Sequence, residues 1–342
     1  MVLTVTLAGA AGLANLGVTT AGAAASTEKP LVVYSSEGLD AVELKAFREA
    51  TGIPVKLETS TSSALVTRIE HEKGDPTWGV LWLDGPTELA QLDKRHLLVR
   101  GYEPHVSWNT EGKTVLPKDK SYVPTGVTLA GAVVYTPNVV TDPPTSWSAL
   151  LQHKWKGAVG IDNPNRTEPT YQFLAGMMSD MGGKNGIKKG EAYLKKLKKN
   201  GLVVQTTNGT TLRGLTSGHI KLAVLQSSAA LGSLHTHPGL RVQYLAPETL
   251  LPSAVGIDAK APTAEKNEAK KFVAYVLSPA GQQVMESATP SDASHYYPVV
   301  TGVAPPTTVP NPATIKTQSI TAALWGVHEH AIDEWFTKHV AN

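Results

Sequence analysis

The chain has 342 residues, a length that suits two domains or one large one, and its hydrophobic content of 41% is ordinary for a globular protein. Its formal net charge of +2 supplies no field that would favour nucleic acid or an anionic membrane as a partner. The chain contains no cysteine, which excludes disulfides, thiolate zinc sites, iron–sulfur clusters and thiol nucleophiles.

The first 25 residues carry no charged side chain and are rich in Ala, Gly, Leu and Val. They end in Ala23-Ala24-Ala25, an A-x-A pattern that is typical of the cleavage site of a secretory signal. The usual Lys or Arg after Met1 is missing, which a mis-assigned start would explain; a membrane anchor or an unstructured tail are the alternatives. We expect residues 1–25 to be a signal peptide and the mature protein to be exported, periplasmic or extracellular, and soluble.

From residue 31 the chain repeats one scheme three times: an apolar strand, a polar turn and a helix. The strands are predicted at Leu31–Tyr34, around Val55 and Leu57, and in the run before Asp84. Further units of this kind continue to residue 232, and helical stretches with a Pro-rich run between them complete the chain. This alternation indicates an α/β protein whose sheets are mostly parallel.

Five junctions between a predicted strand and the next helix carry short hydrogen-bonding side chains. These junctions are Ser35-Ser36, Thr59 to Ser63, Asp84, Arg166-Thr167 and Ser227-Ser228. In open α/β sheets, ligands bind outside the carboxyl ends of the strands, where helix N-termini present free N–H groups. One such Ser or Thr is more often a simple helix N-cap. Five junctions together predict a site for an oxyanion or a polar organic ligand.

Catalytic and nucleotide-binding motifs are matched only in part. The stretch "MGGKN" lacks the first glycine and the Ser/Thr of a P-loop, and "GLTSG" has its serine one place away from a nucleophile elbow. His235 and His237 could bind a metal, but Gly and Pro beside them favour an ordinary loop. We therefore predict a protein that is not an enzyme and that carries no cofactor.

Four segments carry a family resemblance: "LVVYSSEG", "SSALVTRIEHEKGDPTWGVLWLDGP", "TSWSALLQHKWKGAVGIDNPNRTEPTYQFL" and "NEAKKFVAYVLSPAGQQVM". With these segments the chain resembles the type II periplasmic solute-binding proteins of ABC importers, in the subgroup that binds ferric iron, phosphonates and sugar phosphates. The resemblance covers roughly residues 30–300. It implies two α/β lobes with mixed, mostly parallel sheets, a hinge that the chain crosses twice, and a ligand held in the cleft.

The resemblance also implies the division of the chain and its partners. Residues 27–127 and 255–342 are expected to form lobe 1, and residues 128–254 are expected to form lobe 2. The partners would be a small-molecule ligand and a membrane permease of the ABC importer, with no nucleic acid. The protein is expected to be a monomer.

The ligand class follows from one departure from the family. In the ferric-iron members that the chain resembles, the junction equivalent to Gln226-Ser227-Ser228 carries two adjacent tyrosines that hold the metal. Serine hydroxyls stay protonated at neutral pH and donate well to an oxyanion. Three carboxylates expected nearby, Glu37, Asp84 and Glu168, would repel a bare phosphate but suit a ligand with its own cation or hydroxyls. We therefore predict an aminophosphonate or a sugar phosphate.

The predicted ligand-binding residues are Ser35, Ser36, Glu37, Ser62, Ser63, Asp84, Thr167, Tyr171, Ser227 and Ser228. Two alternatives remain open. One is a binder of ferric iron or a metal complex that uses Glu37, Tyr296 and Tyr297. The other is a secreted hydrolase that uses one of the serines as a nucleophile.

Overall fold

A computed structural model describes residues 29–72, 76–287 and 295–342. The predicted signal peptide, residues 1–25, lies outside the described residues. The strands are β1 (Leu31–Ser35), β2 (Val55–Thr59), β3 (Val80–Asp84), β4 (Val123–Leu129), β5 (Ala132–Tyr135), β6 (Val159–Asp162), β7 (Val203–Gln205), β8 (Leu222–Leu225), β9 (Arg241–Gln243), β10 (Glu248–Ile257) and β11 (Thr317–Gln318). The α-helices are α1 (Asp40–Thr51), α2 (Ser62–His71), α3 (Thr87–Lys94), α4 (Thr110–Val115), α5 (Glu168–Asp180), α6 (Ile187–Lys199), α7 (Asn208–Thr216), α8 (Ser227–Thr236), α9 (Thr263–Val276), α10 (Pro279–Ser287), α11 (Ala322–Trp325) and α12 (Glu329–Phe336).

Two mixed β-sheets organise the described residues. The first sheet has the strand order β11-β10-β3-β1-β2, and β4 pairs with β10. In it, β1 is parallel to β2 and β3, whereas β10 is antiparallel to β3 and β4. The second sheet has the order β7-β6-β8-β5-β9, with β6 parallel to both of its neighbours. This architecture confirms the predicted mixed α/β fold class, and the three predicted strand–helix units are β1–α1, β2–α2 and β3–α3.

The chain passes between the two sheets twice, once between β4 and β5 and once between β9 and β10. These two passages are compatible with the predicted hinge, which the chain would cross twice. The predicted lobe boundaries at 127/128 and 254/255 fall within β4 and β10, which both lie in the first sheet. How the chain divides into lobes stays a prediction.

The C-terminal helices pack against the core of the second sheet. Trp325 of α11 and Ile332 and Phe336 of α12 belong to the same buried apolar cluster as Val159 of β6. The Tyr171 hydroxyl of α5 donates a hydrogen bond of 2.7 Å to the Trp325 carbonyl. The end of the segment that we assigned to lobe 1 is therefore held by side chains of the second sheet's core.

None of the helices in the described ranges combines the length and the hydrophobicity needed to cross a membrane.

A tight contact between α5 and β10 yields a stability prediction. A Cβ added at Gly176 would overlap the side chain of Thr249, which is buried and β-branched and so cannot easily move away. We expect Gly176→Ala to lower the free energy of unfolding by about 1–3 kcal/mol, as overpacked cores do. Urea denaturation measures this change.

Gly209 provides the matched control. It lies in the first turn of α7, is exposed, and a Cβ there would come no closer than 3.9 Å to the Thr207 hydroxyl. Gly209→Ala should leave the stability unchanged or raise it by up to about 1 kcal/mol, the helix propensity difference. Equal losses in the two variants would contradict the steric argument.

Candidate functional site

A cavity of about 330 Å³ lies between side chains that follow the strands of both sheets. The residues on the side of the first sheet are Ser36, Gly38, Ser60, Thr61, Ser62, Asp84 and Tyr296. The residues on the side of the second sheet are Arg166, Thr167, Glu168, Pro169, Thr207, Asn208, Gln226 and Ala229. The cavity is thus built from both sheets, at the carboxyl ends of strands, where ligands bind in open α/β proteins.

Four helices begin at this cavity: α2 from the first sheet, and α5, α7 and α8 from the second. The first-turn N–H groups of a helix have no acceptor within the helix, and its N-terminus carries a partial positive charge. Helix N-termini are therefore ready-made sites for phosphate and other anions. Here, four of them converge on one cavity.

Threonine hydroxyls cap two of these helices, α2 and α7, whereas a pair of serine hydroxyls, those of Ser36 and Ser62, lies on the cavity wall. The Thr61 hydroxyl caps α2 by accepting from the Ala64 N–H at 3.4 Å, and Thr207 forms a capping box at the start of α7. The Ser62 hydroxyl donates to the Ser36 hydroxyl at 3.2 Å, and both side chains line the cavity. This pair can turn towards an anion because neither hydroxyl holds a helix cap.

A hydrogen-bonded carboxylate forms one wall of the cavity. Asp84 accepts from the Tyr296 hydroxyl, which lies 2.7 Å from Oδ1 and 2.6 Å from Oδ2, and from Gln226 Nε2 at 3.0 Å. Behind it, Glu37 accepts from the Tyr296 hydroxyl at 3.2 Å and from the Ser253 hydroxyl at 2.6 Å. The Gln226 contact joins the two sheets directly, because Gln226 follows β8 and Asp84 ends β3.

Burial sets the protonation states of this wall. Loss of solvent raises the pKa of Asp84 to about 6, although the hydrogen bonds from Tyr296 and Gln226 oppose the rise. Burial, followed by the nearby Asp84 charge, raises the pKa of Glu37 well above its ordinary value. Burial and the two carboxylates also raise the pKa of Tyr296, so its phenol stays protonated and donates to Asp84.

Six of the ten predicted ligand-binding residues lie at or next to the cavity. Four line it: Ser36, Ser62, Asp84 and Thr167. Glu37 and Ser228 lie behind this wall, where Glu37 contacts Tyr296, and the Ser228 hydroxyl accepts from Gln226 Nε2 at 2.7 Å.

The other four predicted residues have different positions. The Ser35 hydroxyl, at the end of β1, accepts from the Glu37 N–H at 3.0 Å. The Ser227 hydroxyl is 2.6 Å from the Thr128 hydroxyl and accepts from the Leu129 N–H. Ser63 is exposed on α2 outside the cavity lining, and Tyr171 is fully buried. These four side chains hold the fold or face solvent, and we do not assign them to the ligand.

Several cavity residues are absent from the ten predicted ligand-binding residues: Arg166, Thr207, Asn208, Gln226 and Tyr296. Arg166 and Gln226 stand in recognised junctions, and Tyr296 is predicted only for the ferric-iron alternative. Thr207 and Asn208 follow the short strand β7 in the same strand–polar–helix pattern as the five recognised junctions, so the pattern could have identified them. No comparable local signal marks Tyr296, which reaches Asp84 from 212 residues away in sequence.

Comparison with known proteins gives matches over most of the chain. A family model described as bacterial extracellular solute-binding protein matches residues 44–317. A protein of Salmonella paratyphi A, provisionally named a 2-aminoethylphosphonate-binding periplasmic protein, is 24% identical over an alignment of 292 residues that covers 79% of this chain and 82% of that protein.

Two solved structures are similar in fold. Iron-bound HitA from Pseudomonas aeruginosa has a TM-score of 0.77 at 20% identity and covers 90% of this chain and 99% of its own. AfuA from Actinobacillus pleuropneumoniae, with fructose-6-phosphate bound, has a TM-score of 0.76 at 17% identity and covers 91% of this chain and 98% of its own. These likenesses confirm the type II periplasmic binding protein fold that the four sequence segments predicted.

The family match is longer than half of the chain, and its members bind solutes rather than catalyse reactions. It confirms that the protein is not an enzyme, which decides against the serine hydrolase alternative. The chain belongs to the family of bacterial extracellular solute-binding proteins and is the substrate-binding component of an ABC transporter.

Proposed function

We propose that the cavity captures a small phosphoryl-bearing molecule, an aminophosphonate in first place and a sugar phosphate as the related candidate, for delivery to the membrane permease. The observation that carries this proposal is the combination of four helix N-termini with one carboxylate wall in a single cavity. The N-termini suit an anion, and Asp84 suits a cation or hydroxyl of the same ligand. Binding across both sheets would favour hinge closure.

The anionic end of the ligand would be held mainly by neutral donors. Hydrogen bonds to a charged group contribute about 1.5–3 kcal/mol each. Ser36, Ser62 and Asn208 offer side-chain donors in the cavity lining, in addition to the first-turn N–H groups. Four or five such bonds supply the roughly 8 kcal/mol of a micromolar affinity after the costs of ordering the ligand.

The opposite end would contact Asp84. Its two oxygens accept from Tyr296 and Gln226 and still have lone pairs left for a ligand ammonium or hydroxyl.

Arg166, also in the lining, adds a positive charge that suits a phosphoryl group. An aminoethylphosphonate carries both charges at a short separation, which fits a cavity with positive helix ends and two carboxyl groups, Asp84 and Glu168, in its lining.

Two similar proteins support this ligand class, one by its name and the other by the ligand in its structure. The Salmonella relative is named for 2-aminoethylphosphonate, and the AfuA structure contains fructose-6-phosphate. Both ligands join a phosphoryl group to an amine or to hydroxyls.

Iron is the weaker candidate because the two adjacent tyrosines do not converge on the cavity. Tyr296 lines it but donates its proton to Asp84, whereas Tyr297 pairs through its backbone with Val127 and lies outside the lining. A pair of phenolates, which the ferric-iron alternative requires, is therefore not assembled in the described residues.

Isothermal titration calorimetry with a panel of solutes tests the proposal. The panel contains 2-aminoethylphosphonate, ethylphosphonate, inorganic phosphate, fructose-6-phosphate and ferric citrate. We expect the tightest binding with 2-aminoethylphosphonate or fructose-6-phosphate, and weaker binding of ethylphosphonate and phosphate, which have neither an ammonium group nor alcohol hydroxyls to contact Asp84. Binding of ferric citrate alone, with a visible tyrosinate–iron absorbance, would overturn the proposal.

A pair of neighbouring serines tests which hydroxyls meet the anion. Ser62→Ala removes a donor from the cavity wall and should weaken phosphonate binding about 10–100-fold, the worth of one charge-assisted hydrogen bond. Ser63→Ala, on the exposed side of the same helix turn, should change the affinity less than about twofold. Calorimetry on both variants decides, and an equal effect of the two would contradict this placement of the anion.

A further inference from the structure

Three buried carboxyl groups meet at the edge of the ligand cavity, and one of them, Glu168, also lines it. Glu88 of α3, Glu168 of α5 and Glu329 of α12 each offer an oxygen, and these three oxygens lie within 4.8 Å of one another. The three residues are 7%, 4% and 6% exposed. The cluster joins three helices: α3, which follows β3 of the first sheet; α5, which follows β6 of the second sheet; and α12 near the C-terminus.

Neutral side chains hold parts of this cluster in place. Gln91 Nε2 donates to Glu329 Oε2 at 2.8 Å, and Gln172 Nε2 donates to Glu168 Oε1 at 2.7 Å. The Thr87 hydroxyl also donates to Glu168 Oε1. Such outer contacts orient the carboxylates without neutralising them, which is how proteins commonly fix the ligands of a metal ion.

Two carboxylate oxygens in this interior have no hydrogen-bond partner among the described residues. They are Oε2 of Glu88 and Oδ1 of Asp333, and both residues are 7% exposed. Asp333 lies four residues after Glu329 and so on the same face of α12. An unpaired carboxylate oxygen in a protein interior needs a proton or a cation, since its desolvation is otherwise uncompensated.

No positive side chain in the described part of the chain supplies that compensation. The ion pairs within residues 29–72, 76–287 and 295–342 include none of these four carboxylates. Two explanations of the cluster remain, a bound cation or carboxyl groups that share protons.

We infer that Glu88, Glu168 and Glu329 bind a divalent cation that ties α3 to α5 and α12. Carboxylate oxygens are hard ligands, which suit Ca²⁺, Mg²⁺ or Mn²⁺. Oxygens on one Ca²⁺ lie at most about 4.6–5.2 Å apart, twice the metal–oxygen distance, so three oxygens within 4.8 Å of one another are compatible with a single Ca²⁺. Glu168 also lines the ligand cavity, whereas Glu88 and Glu329 lie outside its lining.

Thermal melting of the EDTA-treated protein tests this inference. At a hundredfold excess over its dissociation constant, Ca²⁺ should raise the melting temperature by a few degrees. Glu88→Gln and Glu329→Gln should each weaken Ca²⁺ binding at least tenfold. Glu334→Gln is the matched control, because Glu334 lies on the same helix but is exposed, and it should keep the response.

Two outcomes would overturn the site. One is a melting temperature that none of Ca²⁺, Mn²⁺ and Mg²⁺ changes. The other is a pair of glutamine variants that melt higher than the parent in EDTA while the parent shows no cation response, the result expected of carboxyl groups that share protons.

Tb³⁺ luminescence of the parent protein tests the same site without a glutamine variant, and so remains informative if those variants do not fold. Tb³⁺ replaces Ca²⁺ in oxygen sites and emits when a nearby aromatic ring is excited. Tyr171 lies three residues after Glu168 on α5, and its hydroxyl donates to the carbonyl of Trp325, four residues before Glu329, so its ring lies close to the cluster. We expect Tb³⁺ emission that Ca²⁺ displaces and that Tyr171→Phe reduces severalfold. Emission that Ca²⁺ leaves unchanged would contradict the site.

Discussion

Asp84→Asn is expected to weaken 2-aminoethylphosphonate binding by about 100-fold or more and to leave ethylphosphonate binding unchanged or improved. The two ligands differ only in the amine. Removing one partner of a buried charge pair costs about 3–5 kcal/mol, because the remaining charge stays desolvated and unpaired. For ethylphosphonate, the same change removes a buried negative charge from a cavity that takes an anion.

The comparison of two ligands in two proteins makes this test specific. A general loss of fold or of cavity shape would weaken both ligands together, and asparagine has nearly the shape of aspartate. Tyr296 and Gln226 hold Asp84 from both sides, and the amide oxygen of the asparagine variant could still accept from one of them. Calorimetry gives the four affinities. Parallel losses for both ligands would place the ammonium away from Asp84 and remove the argument for an aminophosphonate.

The fold could be predicted from the sequence because its signals are local. An apolar run such as Leu31–Tyr34 followed by polar residues and a helical repeat indicates a strand–helix unit whatever its neighbours are. The structure has that strand at Leu31–Ser35, one residue longer. The order of strands in each sheet depends on contacts distant in sequence, and here the family resemblance supplied what the pattern could not.

The sequence predicts which strand–helix junctions form the candidate site, but it does not predict which residue of each junction faces the ligand. Ser35 and Ser36 share one junction, and successive side chains of an extended segment point to opposite sides, so one faces the interior and the other the cavity. Ser62 and Ser63 differ in the same way on the first turn of α2. The sequence marks the pair but not which member faces the ligand, because that depends on how the element packs.

Contacts between distant segments account for the rest of the site. Gln226 belongs to a recognised junction, but its role comes from its reach across the cleft to Asp84. Tyr296 enters the wall from a segment beyond β10, and nothing in its neighbours distinguishes it from Tyr297. Tyr171 lies on a helix that begins at the cavity, yet its hydroxyl faces away, to the Trp325 carbonyl.

The affinity for 2-aminoethylphosphonate is expected to fall about tenfold for each pH unit below pH 6. The pKa of Asp84 is raised to about 6 in the free protein, so this carboxyl is ionised at pH 7 and mostly protonated at pH 5. A ligand ammonium favours the ionised form, and binding below pH 6 therefore has to release a proton. Glu37, whose pKa is also raised, and Tyr296 are the titratable groups in contact with this wall.

The ratio of the affinities of the parent and of Asp84→Asn isolates this effect, because the phosphonate group titrates identically for both proteins. We expect the ratio to be constant above pH 7 and to fall towards one between pH 6 and pH 4. The titration of Asp84 does not itself promote unfolding, since a carboxyl whose pKa is raised on folding binds more protons in the folded state and contributes stability as the pH falls from 6 to 4. Calorimetry from pH 4 to pH 8 gives the ratio. A ratio that does not change over this range would mean that the Asp84 carboxylate does not face the ammonium of the ligand.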